Sequence, residues 1–467
     1  MNDALRLAAG LALPWLAGFA VVRALLARYA VRDNGVAIGY GHFAGVLLVT
    51  LLLRAFDRAG LGLALLPTAL TLIVIAGSAL FFTRRIPVAP ADAASTMAAP
   101  PAWQRWLAFA AFALIAIKAG TLAIDVVYRP LFAWDAWSQW GTKAKAWSGL
   151  GAMVPFVDFS TWLARDGIAY TDTAAHYPAT VPLLQTWMTL MLGRWDDSMM
   201  NIPWLAGFVA LAIGMYAQLR RLGVDQAPAA IAAYVATSAP LLGVHVALAG
   251  YADFHTAAVY ALAVLALAEW ETTRARSALV LLVVPAALLP LLKVPGIAWL
   301  GTIAIGFVVA TWGTTRMRIV AGAALVLAAT TAIALLMGQG RVIVAPAAEQ
   351  QRIVESLARH LFAFGSWNLV WYLIPLAIII AWREVLRSKA VAITLACGFG
   401  FLVWTFFFTR AGDWVVDYTT VNRALLHIMP AAVAFAALVL DRAARYPVPA
   451  AARTPAATPP TNRVVNP

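Results

Sequence analysis

Residues 59–83, AGLGLALLPTALTLIVIAGSALFFT, contain no charged side chain. About 20 predominantly apolar residues suffice for an α-helix to cross the hydrocarbon core of a bilayer. This stretch is therefore predicted to span a membrane, and similar stretches recur along all 467 residues. Hydrophobic residues make up 63% of the chain and charged residues only 12%, against roughly 25% charged residues in soluble proteins. So little charged surface excludes a set of soluble domains.

The recurring apolar runs predict an all-α polytopic membrane protein with about 13 transmembrane helices. The charge-free runs are 59–83, 198–219, 294–315, 319–340, 361–382 and 390–409. Shorter or singly interrupted runs are 7–22, 36–53, 106–124, 226–252, 254–268, 277–292 and 424–440. Residues 181–193 are apolar but too short to span, which predicts an interfacial or re-entrant helix. The single cysteine, Cys397, excludes a disulfide-built secreted protein.

The distribution of Lys and Arg predicts the orientation, because cytoplasmic loops of membrane proteins carry an excess of both. With the N-terminus outside, fifteen basic residues fall in six short inside loops and six in the short outside connections. This arrangement places the C-terminus in the cytoplasm. The net charge of +13 is explained by topology, so nucleic-acid binding is not expected.

Ionisable residues concentrate on the predicted outer side. Of the acidic residues, seven fall inside and fourteen outside, and of the histidines only His42 falls at an inner end. Ionisable groups near a membrane are candidates for function because their burial is costly. An inert scaffold has no need for this asymmetry, so the outer face is predicted to carry a reaction or binding site.

The densest polar segment begins just beyond the fourth span. Trp134, Trp137 and Trp140 recur every three residues, so on a helix they would form one aromatic stripe, and such a stripe also serves as a simple interfacial anchor. Asp135 lies between them in a poorly hydrated setting that favours general-base chemistry. Lys143 follows as a candidate substrate-binding cation.

Three further outer positions are candidates. Asp253 and His255 occupy a break between two apolar runs, where they would bind a sugar, a metal or a phosphate, or simply form a polar turn. Lys293 would hold an anionic head group or extend to the interface. Arg423, at the start of the last span, would clamp a phosphate with two hydrogen bonds. The loop 341–360 is long enough to cover such a site and charged enough to be merely solvated.

The order of these features resembles that of the GT-C glycosyltransferases, especially the protein O-mannosyltransferase and lipid A aminoarabinose or galacturonosyl transferase branch. The resemblance covers about residues 105–300. It is carried by Trp134-Asp135-Ala136, the proline-containing segment His176 to Leu184 closing at Leu192-Gly193, Arg220-Arg221-Leu222-Gly223, Ala239-Pro240-Leu241, Asp253-Phe254 and Lys293-Val294-Pro295-Gly296. The chain departs from the family pattern in having three additional spans before the first outer loop, a broken proline pair and a lone carboxylate in that loop.

The apolar runs, the composition and the resemblance together divide the chain into four parts. Residues 1–104 hold three additional N-terminal helices and an inside linker, and 105–340 form a GT-C-like transmembrane core with a catalytic outer loop at 128–197. Residues 341–441 form a second outer loop and the C-terminal helices, and 442–467 a disordered inside tail. The outer loop 128–197 is expected to carry interfacial helices, and the expected location is a bacterial inner membrane.

The resemblance also implies a reaction, in which a sugar moves from a polyprenyl-phosphate donor to an acceptor hydroxyl of a glycan, lipid or protein at the outer face. Asp135 would be the catalytic base, and Asp253 would assist it. The predicted substrate-binding residues are His255, Lys293, Arg423, Lys143, His176 and Trp137, with Trp137 beside the prenyl chain. No cofactor or metal ligand is assigned, and a divalent metal stays open.

Two other functions stay open. A transporter or flippase of lipid-linked sugars would carry ionisable residues near the middle of the membrane, and Lys118 is the one obvious charge within a span. An O-antigen-ligase-like enzyme would also use outer Arg and His residues, but its large outer loop would be expected late in the chain.

Overall fold

The computed structural model describes residues 2–86, 100–164, 169–312, 347–416 and 420–445. Of the residues in these ranges, 81% are helical. Within the described ranges the only extended pairing is a two-residue parallel contact between β1 (Phe156–Val157) and β2 (Tyr170–Thr171). The prediction of an all-α protein is confirmed.

Nineteen α-helices are described, and they differ widely in length. The first ten are α1 (Asp3–Ala27), α2 (Asn34–Arg58), α3 (Leu65–Arg85), α4 (Ala102–Tyr128), α5 (Thr142–Leu150), α6 (Phe159–Leu163), α7 (Thr180–Leu192), α8 (Ile202–Arg221), α9 (Gln226–Ser238) and α10 (Pro240–Ala247). The others are α11 (Asp253–Thr273), α12 (Arg276–Leu292), α13 (Gly296–Thr311), α14 (Ala347–Phe362), α15 (Val370–Ile380), α16 (Trp382–Arg387), α17 (Lys389–Phe408), α18 (Asp413–Val416) and α19 (Thr420–Arg445). A π-helix, Ala136–Gly141, precedes α5, and short 3₁₀ turns cover Met199–Asn201 and Arg410–Gly412.

Seven of the described helices are long and apolar enough to cross a membrane, namely α1, α2, α3, α4, α8 with its preceding turn, α17 and α19. The pair α9 and α10, bent by 60°, would form an eighth span. Helices α12, α13 and α15 are apolar but shorter. These helices confirm a polytopic membrane protein but not the predicted total of thirteen spans. The predicted span 319–340 lies outside the described residues.

The predicted span 361–382 is wrong in its bounds. The main helix within this range is α15, which begins only at Val370. Gly365 and Asn368 adopt the left-handed backbone conformation and prevent a helix from forming before that residue. Much of the predicted loop 341–360 is instead the helix α14, which buries Ile353 and Ser356 and exposes charged residues on its other face. The charge of the segment favours a solvated loop, but its buried residues recur at helical spacing on one face.

The short apolar segment 181–193 forms α7, which is enclosed by protein. Every residue of α7 except Leu190 is buried, and the helix packs against α1, α2 and α5. Its enclosure by neighbouring helices is compatible with its short length, and the interfacial or re-entrant position stays a prediction. Trp187 fixes α7 to the first helix by donating from Nε1 to the Gly10 carbonyl over 2.8 Å.

Helix α11 occupies the centre of the bundle. All residues from Asp253 to Trp270 are buried, and α8, α12, α13, α17 and α19 surround them. Apart from Asp253, His255 and Glu269, its buried side chains are apolar or small on every face, as expected of a helix without a solvent-facing side. Since Asp253 begins this helix, its carboxylate is held at the middle of one end of the bundle.

Close approach between α1 and α2 depends on glycine. A Cβ at Gly18 would overlap the carbonyl oxygen of Gly41 and the amide nitrogen of Gly45. Small residues allow such contact between helices in a membrane, where van der Waals packing supplies much of the association energy.

Substitution of Gly18 by Val is expected to destabilise the protein by about 1–3 kcal/mol, because the added methyl groups force α1 away from α2. Thermal unfolding in detergent, followed by tryptophan fluorescence, measures the effect as a lower midpoint. Gly77→Val is the matched control, since nothing lies within 4 Å of a Cβ at that position on α3. Equal midpoints for both variants would contradict the proposed contact.

Candidate functional site

Five side chains from distant parts of the sequence meet at the end of the bundle where α11 begins. This Asp253 cluster consists of Asp135, Asp253, Lys293, Arg423 and His427. Asp135 precedes the π-helix, Lys293 stands between α12 and α13, and Arg423 and His427 lie one turn apart on α19. The sequence predicts all five on the same side, and the structure brings them into direct contact.

Asp253 is the centre of this cluster. Its Oδ1 accepts hydrogen bonds from Lys293 Nζ at 2.6 Å and His427 Nε2 at 2.9 Å. Its Oδ2 accepts from Arg423 through Nη2 at 3.0 Å and Nε at 3.2 Å. The carboxylate is fully buried, and buried charges require such partners. With four donors on its two oxygens, Asp253 holds two cations in fixed positions.

Arg423 connects the buried part of the cluster to its open side. Its Nη1 donates to Asp135 Oδ2, and its guanidinium stacks 4.5 Å above the ring of Tyr251. The side chains of Arg423 and Asp135 are 20% and 22% exposed, whereas that of Asp253 is fully enclosed. A ligand approaching from solvent would therefore meet the Arg423–Asp135 pair first.

The hydrogen bond at Nδ1 of His427 determines which of its ring nitrogens carries the proton. Trp299 donates from Nε1 to His427 Nδ1 over 3.0 Å, and an indole nitrogen is only a donor. His427 Nδ1 must then be an acceptor, so the single proton is on Nε2 and points to Asp253. A doubly protonated ring would place two N–H groups against each other. With neutral His427, the cluster contains two cations and two carboxylates.

Two tyrosines near the cluster are not among the site residues predicted from the sequence. Tyr177 stacks on Trp140 with ring centroids 5.2 Å apart, and burial together with the charge of Asp253 raises the pKa of its hydroxyl. Burial likewise raises the pKa of Tyr251, while the neighbouring Arg423 lowers it. Both phenols are protonated at neutral pH and available as hydrogen-bond donors. Tyr251 is only two residues from Asp253 in the sequence, and this proximity could have identified it as a site residue.

The predicted single stripe of tryptophans is wrong. Trp140 is fully buried, while Trp134 and Trp137 are 65% and 42% exposed and contact each other edge to face at 5.1 Å. The segment is a π-helix, in which Thr142 N–H bonds to the Trp137 carbonyl five residues earlier. The wider turn places Trp140 on a different face from Trp134 and Trp137. Single-turn π segments are frequent at functional sites.

The other predicted substrate-binding residues lie outside the cluster's hydrogen-bond network. His255 is buried among Phe43, Trp204 and Phe254. His176 is exposed and contacts the ring of Tyr177. The structure thus joins Asp135, Asp253, Lys293 and Arg423 of the predicted set and separates these two histidines from them.

Lys143 is committed to a buried ion pair. Its Nζ lies 2.8 Å from Asp172 Oδ2 and donates to the Ala174 carbonyl at 2.9 Å. Burial lowers the pKa of Lys143, and the ion pair with Asp172 opposes that shift. This pair fastens α5 to the loop that precedes α7, so in this arrangement Lys143 supports the wall beside the cluster.

Within the described ranges, no three His, Cys, Asp or Glu side chains lie close enough to hold a metal ion. Comparison with protein families, with curated proteins and with solved structures gives no match to this chain. The chemistry of the cluster is therefore the basis for any functional assignment.

Substitution of Lys143 by Gln is expected to cost about 3–5 kcal/mol of stability, because Asp172 would keep a buried charge without its cation. The midpoint of thermal unfolding in detergent measures the loss. Lys145→Gln is the control, since Lys145 is exposed on the same helix and its removal should leave the midpoint near that of the wild type. A similar midpoint for both variants would show that the buried pair does not hold this loop.

Proposed function

We propose that this protein is an integral-membrane glycosyltransferase that moves a sugar from a polyprenyl-phosphate donor to an acceptor hydroxyl. The supporting observation is the Asp253 cluster, where two fixed cations lie beside a partly exposed carboxylate. Transfer from a lipid phosphate requires these two functions together, namely cations for the leaving phosphate and a base for the acceptor. The order of motifs shared with the GT-C glycosyltransferases favours the same assignment.

Arg423 and Lys293 would bind the phosphate of the donor. A guanidinium binds phosphate oxygens with paired hydrogen bonds, and an ammonium adds a point charge. Asp253 would act as a positioning residue, because its oxygens are already occupied by four donors and have no capacity to take a proton from substrate. This role differs from the direct assistance to the base expected from the sequence.

Asp135 would be the catalytic base. Among the described residues, only its Oδ2 has a hydrogen-bond partner, so Oδ1 is available to an acceptor hydroxyl. In the transfer step the acceptor oxygen bonds to the anomeric carbon while Asp135 takes the hydroxyl proton. The bond between that carbon and the phosphate oxygen breaks, and its electron pair leaves with the phosphate. The family resemblance implies inversion at the anomeric carbon.

Binding of the donor would release the base. Arg423 donates from Nε and Nη2 to the buried Asp253 and from Nη1 to Asp135. The Nη1 side of the guanidinium is therefore the side that faces the opening. A donor phosphate would replace the Asp135 carboxylate on this side. Asp135 would then be free to bind the acceptor, so donor binding would precede acceptor activation.

Asp135→Asn is expected to abolish transfer and to bind polyprenyl phosphate about fivefold more tightly than the wild type, because a neutral amide competes less for Arg423 and the lost ion pair is worth about 1 kcal/mol. Purified protein reconstituted with polyprenyl-phosphate sugars and mixed acceptors would be assayed for released polyprenyl phosphate by mass spectrometry. Binding of polyprenyl phosphate would be measured separately.

Asp413→Asn is the matched control, because Asp413 is exposed at the same end and lies outside the cluster. It should retain transfer and wild-type affinity. Transfer by Asp135→Asn at the wild-type rate would remove Asp135 from the mechanism. Weaker binding of polyprenyl phosphate by Asp135→Asn would contradict the proposal that the donor phosphate replaces Asp135 on Arg423.

A transporter or flippase of lipid-linked sugars is the second candidate, favoured by the bend of 60° between α9 and α10. Discontinuous helices line substrate sites in many transporters. Lys118 of α4 lies against Gly243 of α10, close to this break. In liposomes, this candidate predicts movement of the donor lipid between leaflets without release of polyprenyl phosphate, and Lys118→Gln should slow that movement.

A further inference from the structure

A cavity of about 480 Å³ lies at the other end of the bundle from the Asp253 cluster. It is formed by the turn after α8, by α16 and by the last turns of α19. Arg442 on its wall is nineteen positions beyond Arg423 on α19, which corresponds to roughly 28 Å at 1.5 Å per residue. The cavity is therefore separate from the proposed catalytic site, and its function does not depend on that proposal.

The accessible charge in this cavity is positive. Its charged lining consists of Arg387, Arg442, Arg445, Glu384 and Asp441. The two carboxylates are enclosed, since Glu384 is bound by Arg387 and Asp441 by Arg445 at 3.0 Å. Their side chains are 10% and 6% exposed, whereas those of Arg387 and Arg445 are 67% and 38% exposed. A ligand in the cavity would therefore meet guanidinium groups before carboxylates.

Arg442 has hydrogen-bonding capacity to spare. Its Nη1 donates to Ser388 Oγ at 3.0 Å. Among the described residues it forms no direct ion pair, although the charges of Glu384, Glu271 and Asp441 act on it. Arg445, by contrast, is also paired with Asp225 at 2.7 Å. A guanidinium carries five N–H donors in a planar fork that matches the oxygens of a phosphate. The geometry around Arg442 thus favours a phosphate group as the ligand.

Exposed apolar side chains lie close in sequence to Arg387 of this cavity. Ile380, Trp382 and Leu386, at the end of α15 and on α16, are all more than half exposed and stand close in sequence to Arg387. A soluble phosphate would make no use of such a surface, whereas acyl chains would cover it. The sequence also predicts this end to be cytoplasmic, where basic pockets between helices bind anionic head groups.

We propose that this cavity binds the phosphate head group of an anionic phospholipid, with Arg442 as the principal contact, Arg387 at the rim and the acyl chains along Ile380, Trp382 and Leu386. Such a lipid would tie α16 to α19 and to the turn after α8. It would act as a structural ligand at the end of the bundle opposite the catalytic cluster.

The test uses the full chain purified in a neutral detergent and titrated with phosphatidylglycerol, with thermal unfolding followed by tryptophan fluorescence. A ligand that binds the folded state raises the midpoint of unfolding in a saturable manner. Arg442→Gln should need about tenfold more phosphatidylglycerol for half of the maximal rise, which corresponds to loss of one strong phosphate contact. Lys389→Gln removes the same charge at the same end without touching the cavity lining and should titrate like the wild type.

Two further arms identify the ligand. Zwitterionic phosphatidylcholine should give a smaller rise, and inorganic phosphate should give none at the same concentration. An equal rise with inorganic phosphate would assign the cavity to a soluble anion and overturn the lipid proposal. Equal weakening by Arg442→Gln and Lys389→Gln would show a general charge effect and also overturn it. If Arg442→Gln fails to fold, Arg442→Lys replaces it, and wild-type titration by that variant would argue against a guanidinium contact.

Discussion

The burial of one carboxylate determines the arrangement of this end of the protein. Asp253 opens a helix that is enclosed on every face, so its charge has no access to water. A buried carboxylate deprived of partners is strongly destabilising, and the chain supplies donors from Lys293, Arg423 and His427. Because these residues come from the α12–α13 junction and from α19, the requirement to satisfy Asp253 also fixes how those elements meet α11.

The same carboxylate explains why the cations are suited to a ligand. Lys293 and Arg423 are flexible side chains that would lose considerable entropy on binding a phosphate. Asp253 orders them in advance, and Tyr251 supports the plane of the guanidinium from below. Trp299 extends this support by fixing the ring of His427. The polar residues thus form an ordered platform, of which only the edge shared by Arg423 and Asp135 is exposed.

Apolar length and charge position made part of this structure predictable from the sequence. The runs 36–53, 59–83, 106–124 and 390–409 correspond to α2, α3, α4 and α17, because a predominantly apolar segment of this length has few other stable conformations in a membrane. Asp135, Asp253, Lys293 and Arg423 were each predicted on the same side, whereas their direct contact is seen only in the structure. The π-helix, the burial of α7 and the neutral state of His427 depend on tertiary contacts, such as that of Trp299 with Nδ1, for which spacing gives no signal. Tyr177 was missed for the same reason, since its position is set by stacking on the buried Trp140.

The π-helix between Asp135 and α5 makes this segment sensitive to length as well as to composition. A π turn contains one residue more than the corresponding α turn. The hydrogen bond from the Thr142 N–H to the Trp137 carbonyl closes this wider turn. Loss of any one residue from 136–141 would restore ordinary helical pitch and rotate everything on one side of the deletion by about 100° relative to the other. Asp135 would then face away from Arg423 if Trp140 kept its place, or Trp140 would leave its stack if Asp135 kept its own. Sequence variants of this loop should therefore exchange side chains readily at exposed positions, while the number of residues between the carboxylate and the buried indole stays constant.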